Sequence, residues 1–145
     1  MLQRKDNIIV SKSEAFADRI TAMCNFLSQE RRGRKSIIDQ IGRSGTSIGA
    51  NIAEGIYAQS PADFISKFSI ALKEANETRY WLERLFESNA LRQKEFESMR
   101  NDNMEIIYIL TSIIKTMKKK QSEVEKNNKS EIIEFVLIDD CKEQL

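Results

Sequence analysis

The stretch over residues 40–55 constrains the fold more than any other part of the chain. It reads QIGRSGTSIGANIAEG, with isoleucines at the spacing of one helix face and glycines inside the same predicted helix. Each internal glycine costs about 1 kcal/mol relative to alanine. Close approach of another backbone would offset this cost, so the stretch is predicted to be a packing seam, within one subunit or between subunits. The glycines are Gly42, Gly45 and Gly49, and the isoleucines are Ile41, Ile48 and Ile52.

The same stretch imitates a catalytic motif. Residues 45–49 match the G-x-S-x-G pattern of a hydrolase nucleophile elbow, with Ser47 in the place of the nucleophile. That motif needs a strand before it, a helix after it and a histidine to accept the serine proton. The chain contains no histidine, and no strand-like run precedes the motif. A phosphate-binding loop is excluded as well, because the Gly-Lys-Ser/Thr ending is missing. No catalytic residue is assigned, and no enzymatic activity is expected.

Composition indicates one globular, helical domain. Hydrophobic residues make up 41% and charged residues 31% of the 145 positions, as in soluble proteins. One proline and five glycines are too few turn residues for an all-β fold. No apolar run approaches the length of a membrane span, and the apolar residues 8–10 are too few for a signal peptide. We therefore expect a cytoplasmic protein.

The chain has few residues that could bind a metal ion or form a disulfide. Cys24 and Cys141 are the only cysteines, and they lie far apart in a chain without secretory features. Two cysteines without histidine do not make a usual zinc site. No metal and no cofactor are expected, although paired carboxylates at Glu74 and Glu77 leave a carboxylate site open. Composition therefore favours a binding or structural role.

Two helices are predicted in the first part of the chain. The first begins at Ser11, where a capping box is predicted: the Ser11 hydroxyl caps the helix, and the Glu14 side chain bonds to the Ser11 backbone N–H. This helix is predicted to end near Gly33. The second covers residues 35–57 and carries six isoleucines on the side where two of its glycines also fall.

Two further helices complete the predicted fold. The third follows an N-cap at Ser60, with Pro61 at the first helical position, and ends near Asn89. The fourth covers residues 93–120 and closes with three lysines. Short connections between four amphipathic helices predict an all-α, up-down-up-down four-helix bundle.

The chain changes character after residue 120. Residues 121–130 are polar and are interpreted as a linker or a frayed helix. Residues 132–138 are apolar and β-prone, and are expected to dock on the bundle or on a neighbouring subunit. The segment 131–145 carries five acids and one lysine, a net charge of −4 that leaves +5 for the rest. The predicted organisation is a bundle domain over residues 1–120 and an acidic, apolar tail over residues 121–145.

Three sequence stretches resemble a known family. They read NIIV at 7–10, QIGRSGTSIGANIAEG at 40–55 and ALKEANETRYWL at 71–82. Together they resemble the bacterial four-helix-bundle proteins encoded in intervening sequences of 23S ribosomal RNA genes, over about residues 7–120. The resemblance implies a left-handed bundle that assembles as a ring-like homopentamer and has no enzymatic activity. Accessory proteins of diversity-generating retroelements are similar in fold and bind reverse transcriptase and RNA through basic surfaces.

A polar set on the second and third helices is predicted to pair. Arg43 and Glu77 lie at equal distances along the sequence before and after Ser60, so antiparallel helices would bring the two to one height. A structural ion-pair network is one interpretation. The alternative makes Arg43 and Arg79 ligands of phosphate. Trp81 is interpreted as core or interface packing, with base stacking as the alternative.

Two sets of candidate site residues follow. Basic residues at the bundle ends, with two arginines of the polar set, are predicted to bind RNA. These are Arg31, Arg32, Arg34, Lys35, Arg43, Arg79, Lys118, Lys119 and Lys120. Subunit contacts are predicted at Gly45, Gly49, Asn51, Glu54, Glu77 and Trp81.

The favoured function is a non-enzymatic oligomeric bundle that binds structured RNA or an RNA–protein complex. The alternative is a protein-interaction scaffold that recruits a partner protein through the ring surface or the tail, without nucleic acid. Neither a membrane nor a small-molecule substrate is expected.

Overall fold

The computed structural model describes the backbone of residues 4–143 and the side chains of residues 8–138. It contains four helices, α1 (Arg4–Gln29), α2 (Lys35–Ile56), α3 (Pro61–Glu87) and α4 (Gln93–Glu143), and no strand among the residues it describes. Each helix packs on the next, and α4 packs back on α1. The predicted all-α four-helix bundle is confirmed. Over the same residues, no helix is both long and apolar enough to cross a bilayer.

The predicted start of the first helix is wrong. Helix α1 already begins at Arg4, so Ser11 and Glu14 lie inside it and do not form a capping box. Ile9 explains the difference, because its side chain is fully buried in the core. Burial of this apolar residue extends the helix past a local capping signal.

The start of α3 follows its sequence signal. Ser60 has an extended backbone, and its hydroxyl accepts a hydrogen bond from the Asp63 N–H at 3.1 Å. Pro61 occupies the first helical position. This N-cap is confirmed, because all of its determinants lie within one turn of one another.

The two loops at one end of the bundle contain the residues with unusual backbone angles. Gly33 has a φ of +87° between α1 and α2, and Asn89 has a φ of 63° between α3 and α4. Glycine and asparagine adopt this left-handed conformation more readily than other residues, whereas Arg31, with a φ of 52° in the first loop, is not of such a type. Helix α1 ends at Gln29, about one turn before the predicted stop at Gly33, and α3 ends at Glu87.

Helix α4 continues well beyond its predicted end. Residues 121–143 are helical, so the linker interpretation of residues 121–130 is wrong and its helical alternative holds, while the β-prone run at residues 132–138 is helical as well. Lys12 pairs with Glu105, and Ile8 lines a groove with Tyr108, which places the start of α1 beside the first third of α4. The later part of α4 therefore projects past the bundle, and we call residues 121–143 the extension. No glycine or proline occurs there to end the helix. The division into domains at residue 120 stays a prediction.

The glycine-containing face of α2 is a seam within one chain. A Cβ built on Gly45 would lie 2.8 Å from Cγ1 of Ile20 on α1, closer than real Cβ atoms approach. A Cβ on Gly49 would meet the Ser13 carbonyl oxygen at 3.5 Å, an ordinary contact. Gly45 is buried by this crossing, which leaves no surface for the subunit contact also predicted there.

We predict that Gly45→Ala destabilises the protein by about 1–2 kcal/mol, because overpacking against Ile20 exceeds the gain in helix propensity. Gly49→Ala is the matched control. Its added methyl fits, so it should leave stability unchanged or raise it by up to about 1 kcal/mol.

Urea unfolding followed by circular dichroism at one protein concentration measures both variants. A Gly45→Ala protein as stable as the Gly49→Ala protein would contradict the tight crossing of α1 and α2.

Candidate nucleic-acid interface

The G-x-S-x-G segment lies in the middle of α2. The Ser47 hydroxyl donates a hydrogen bond to the Arg43 carbonyl at 2.6 Å, and the Thr46 hydroxyl donates to the Gly42 carbonyl at 2.7 Å. Both are ordinary bonds of a helical hydroxyl to the preceding turn. Ser47 therefore does not stand on the sharp strand-to-helix turn that a nucleophile elbow requires.

The predicted pair of Arg43 and Glu77 is confirmed. One Arg43 nitrogen lies 2.5 Å from a Glu77 oxygen, and the other lies 3.2 Å from Glu74. The Trp81 indole N–H donates to the second Glu77 oxygen at 3.2 Å. Hydrogen bonds from Arg43, and then from Trp81, lower the pKa of Glu77, and the Glu77 carboxylate raises the pKa of Arg43. This guanidinium is therefore engaged within the chain.

Arg43 and Arg79 do not meet. Arg43 lies on the seam between α2 and α3, whereas Arg79 pairs with Glu83 at 3.3 Å and contacts Met104 on α4. Arg43 reaches α3 from α2 at Glu74 and Glu77, whereas Arg79 lies on α3 beside Glu83 and α4, so the structure does not assemble the predicted phosphate site from them. Among the described residues, no group of three or more potential ligands could hold a metal ion.

Two buried polar contacts escaped sequence reasoning. The Thr78 hydroxyl donates to the Ser44 hydroxyl at 2.9 Å, and both side chains are fully buried between α2 and α3. The Asn103 amide donates to the Ala75 carbonyl at 3.0 Å. Small hydroxyls on helices carry no sequence signal that separates a buried bridge from a solvated side chain. Cys24 is a free thiol, and the Cys141 side chain lies outside the described residues.

Arg32 has a structural role, which argues against its predicted part as an RNA ligand. Its Nε donates to the Ala90 carbonyl at 3.0 Å, and its Nη2 lies 2.6 Å from a Glu95 oxygen. The guanidinium also covers the Phe26 ring at 5.3 Å. Glu95 accepts a second bond from the Arg92 backbone N–H at 2.8 Å. Arg32 therefore fastens the α1–α2 loop to the α3–α4 loop.

The up-down topology brings cations from both loops to one end of the bundle, where Arg32 joins the two loops. Lys35 pairs with Asp39 at 2.8 Å. Arg31, Arg34, Arg92 and Lys94 are also at this end; all four are exposed, and none forms an ion pair within the described part of the chain. Arg92 and Lys94 were missed from the sequence, although the up-down topology already placed their loop at this end. We call the five residues the loop-end patch: Arg31, Arg34, Lys35, Arg92 and Lys94.

The remaining predicted residues lie elsewhere. Lys118, Lys119 and Lys120 are exposed where α4 leaves the bundle. The Asn51 amide donates to the Ser47 carbonyl at 2.8 Å, and Glu54 pairs with Lys67 at 2.8 Å. Subunit contacts at Asn51 and Glu54, and at the partly buried Gly49 and Trp81, stay predictions.

Comparison with known proteins agrees with this architecture. The sequence profile of the family described as "23S rRNA-intervening sequence protein" matches residues 5–112. The chain belongs to this family. The resemblance inferred from the three sequence stretches is therefore confirmed, and the loop-end patch lies inside the region that matches the 23S rRNA-intervening sequence proteins.

A solved structure resembles this member of the 23S rRNA-intervening sequence proteins. It is a protein of unknown function from the S23 ribosomal protein family of Bacteroides thetaiotaomicron VPI-5482, 52% identical in sequence. The match covers 77% of this chain and 98% of that chain, with a TM-score of 0.74. None of the curated proteins matches the chain.

We predict that Glu95→Gln lowers stability at pH 7 by roughly 1 kcal/mol, because it removes the charged acceptor of Arg32. Hydrogen bonds from Arg32, and then from the Arg92 backbone, lower the Glu95 pKa from its ordinary value of 4.5. A carboxyl with a lowered folded pKa stabilises the fold above its unfolded pKa, and this contribution is lost as the pH falls through the folded pKa.

The variant should therefore lose less stability than the parent protein on acidification below about pH 4.5. Urea unfolding at several pH values measures this difference. Glu87→Gln is the control, because Glu87 is exposed and forms no ion pair among the described residues. An equal acid response in the parent and Glu95→Gln proteins would contradict the role given to this carboxylate.

Proposed function

We propose that this protein is a non-enzymatic oligomeric bundle that binds structured RNA, or an RNA–protein complex, through the loop-end patch. The single observation behind the proposal is the meeting of exposed cations from two loops at one end of the bundle, where Arg32 joins these loops. Arginine and lysine neutralise phosphates, and this electrostatic contribution dominates affinity for nucleic acid.

The patch has the chemistry that phosphate contacts require. Arg31, Arg34 and Arg92 offer planar guanidinium groups that can bind phosphate oxygens in pairs, and Lys94 adds a mobile point charge. Their exposure leaves the charged groups accessible to a large ligand. Phosphate-directed contacts of this kind position a duplex or hairpin without reading its sequence.

The family adds support from an independent direction. Its name links these proteins to 23S ribosomal RNA genes, and the loop-end patch lies within the matched residues. A ribosomal RNA or a ribonucleoprotein assembled on it is therefore the favoured class of partner, and the cytoplasm is the expected location.

Assembly into an oligomer would increase the affinity for RNA of the loop-end patch, whose charge in one copy is modest. The sequence resemblance implies a homopentamer, in which each loop-end patch would occur five times. Repetition converts weak single contacts into strong avidity where the geometry allows simultaneous engagement. Lys118, Lys119 and Lys120 are a second proposed contact at the opposite end of the bundle. Arg32 and Arg43 are excluded from the proposed contact, because carboxylates of other helices bind them, whereas Lys35 pairs only with the exposed Asp39 of its own helix.

We predict that Arg31→Gln, Arg34→Gln and Lys94→Gln in one protein weaken binding to a 23S rRNA hairpin. The dependence of log affinity on log salt concentration should become shallower by roughly 2–3, because three phosphate contacts are lost. Fluorescence anisotropy at a series of salt concentrations measures both the affinity and the slope.

A matched control variant loses the same number of positive charges at positions outside the loop-end patch. Lys73→Gln, Arg100→Gln and Lys126→Gln remove three exposed cations that make no ion pair in the described residues. This protein should bind with nearly the parental slope. Failure of the parent protein to bind at low salt, or equal slopes for the two triple variants, would exclude the proposed interface.

A further inference from the structure

The end of the extension is apolar on every side. Residues 132, 133 and 135–138 expose between 50% and 68% of their surface. Consecutive helical residues are rotated by about 100°, so these six side chains surround the axis instead of forming one stripe. A helix that is apolar all round is normally buried by neighbours. The extension therefore requires a partner surface.

The chain's own bundle does not provide that surface. Helix α4 continues without interruption from Gln93 to Glu143, and it carries the apolar end away from the bundle. Residues 131–138 would reach their own bundle only if this helix broke.

A groove between α1 and α4 offers a complementary surface. It has a volume of about 260 Å³ and is lined mainly by Ile8, Tyr108, Ile109 and Ile113. Ile8 is 42% exposed and Tyr108 is 68% exposed, so the groove is open to a second molecule. These two helices are also the most sparsely packed of the adjacent pairs.

The charges around the groove are opposite to those of the extension. Lys115 and Lys119 follow Tyr108 at the spacing of one α4 face, whereas Lys12 and Glu105 beside the groove neutralise each other as an ion pair at 2.8 Å. The segment 131–145 carries a net charge of −4, with Glu131 and Glu134 beside the apolar run. The rest of the chain carries +5. Contact between two extensions would oppose like charges, whereas contact between an extension and a groove pairs unlike charges.

We propose that residues 131–138 of one copy dock in the α1–α4 groove of a second copy of this chain. Apolar side chains from one face of this segment occupy the groove, and Glu131 and Glu134 face Lys115 and Lys119. Each copy carries one extension and one groove, so the contact is head-to-tail and can close into a ring. The extension lies outside the family match, which ends at residue 112.

Zero-length carbodiimide cross-linking tests this contact directly. Full-length protein grown on light nitrogen is mixed with full-length protein grown on heavy nitrogen, without RNA, and cross-linked peptides are analysed by mass spectrometry. Within one straight α4, Lys119 and Glu131 lie about 18 Å apart, too far for a direct amide bond. We expect mixed-isotope cross-links that join Lys115 or Lys119 to Glu131 or Glu134.

Two variants connect the cross-link to the proposed surfaces. Ile133→Gln with Leu137→Gln changes the extension, and Ile8→Gln with Tyr108→Gln changes the groove, all at exposed positions. Each should reduce the cross-link yield by about tenfold or more, because both surfaces contribute apolar contact. Val124→Gln is the control on the same extension and should keep the parental yield.

A mixture of the two variants separates this contact from its alternatives. The extension variant still offers a groove, and the groove variant still offers an extension, so their mixture should regain the cross-link. Cross-links between two extensions, cross-links only within one isotope, or no cross-link at all would overturn the proposal. The absence of any cross-link would indicate that the extension binds a different protein.

Discussion

The close approach of α2 to both of its neighbours, α1 and α3, is the constraint on which the bundle depends. Gly45 brings the α2 backbone onto Ile20, where any larger residue would collide with a stiff, branched side chain. The same α2 then meets α3 through the buried hydroxyl pair of Ser44 and Thr78 and through the outer pair of Arg43 and Glu77. One face of α2 thus needs a bare backbone and its neighbouring face needs short polar side chains, so few other sequences would fit both.

Arg32 has a comparable role for the loops. A cation, a carbonyl and a carboxylate from three segments meet at one half-buried guanidinium, and this contact fixes two connections that would otherwise move independently. This contact fixes the two loops that carry the cations of the loop-end patch. The residue that organises the proposed interface is therefore itself unavailable to the ligand.

The elements that sequence predicts correctly depend on local or regular relations. The Ser60 cap needs only its own turn, and the Arg43–Glu77 pair follows from equal distances to one turn between antiparallel helices. Arg32 is different, because its neighbours carry the same charge and only the folded chain brings Ala90 within its reach. The extension is ambiguous for another reason. A short apolar run fits a strand or a buried helix, and here the missing breakers favour the helix.

The length of helix α4 sets the distance between the two proposed binding surfaces. Its 51 residues span about 76 Å as one rod, with the loop-end patch beside its first turn and the apolar end at its last turns. Ligands held at the two ends would therefore not collide, and occupation of one end would leave the other sterically free. A single copy could hold a nucleic acid and a neighbouring protein at a separation set by helix length alone.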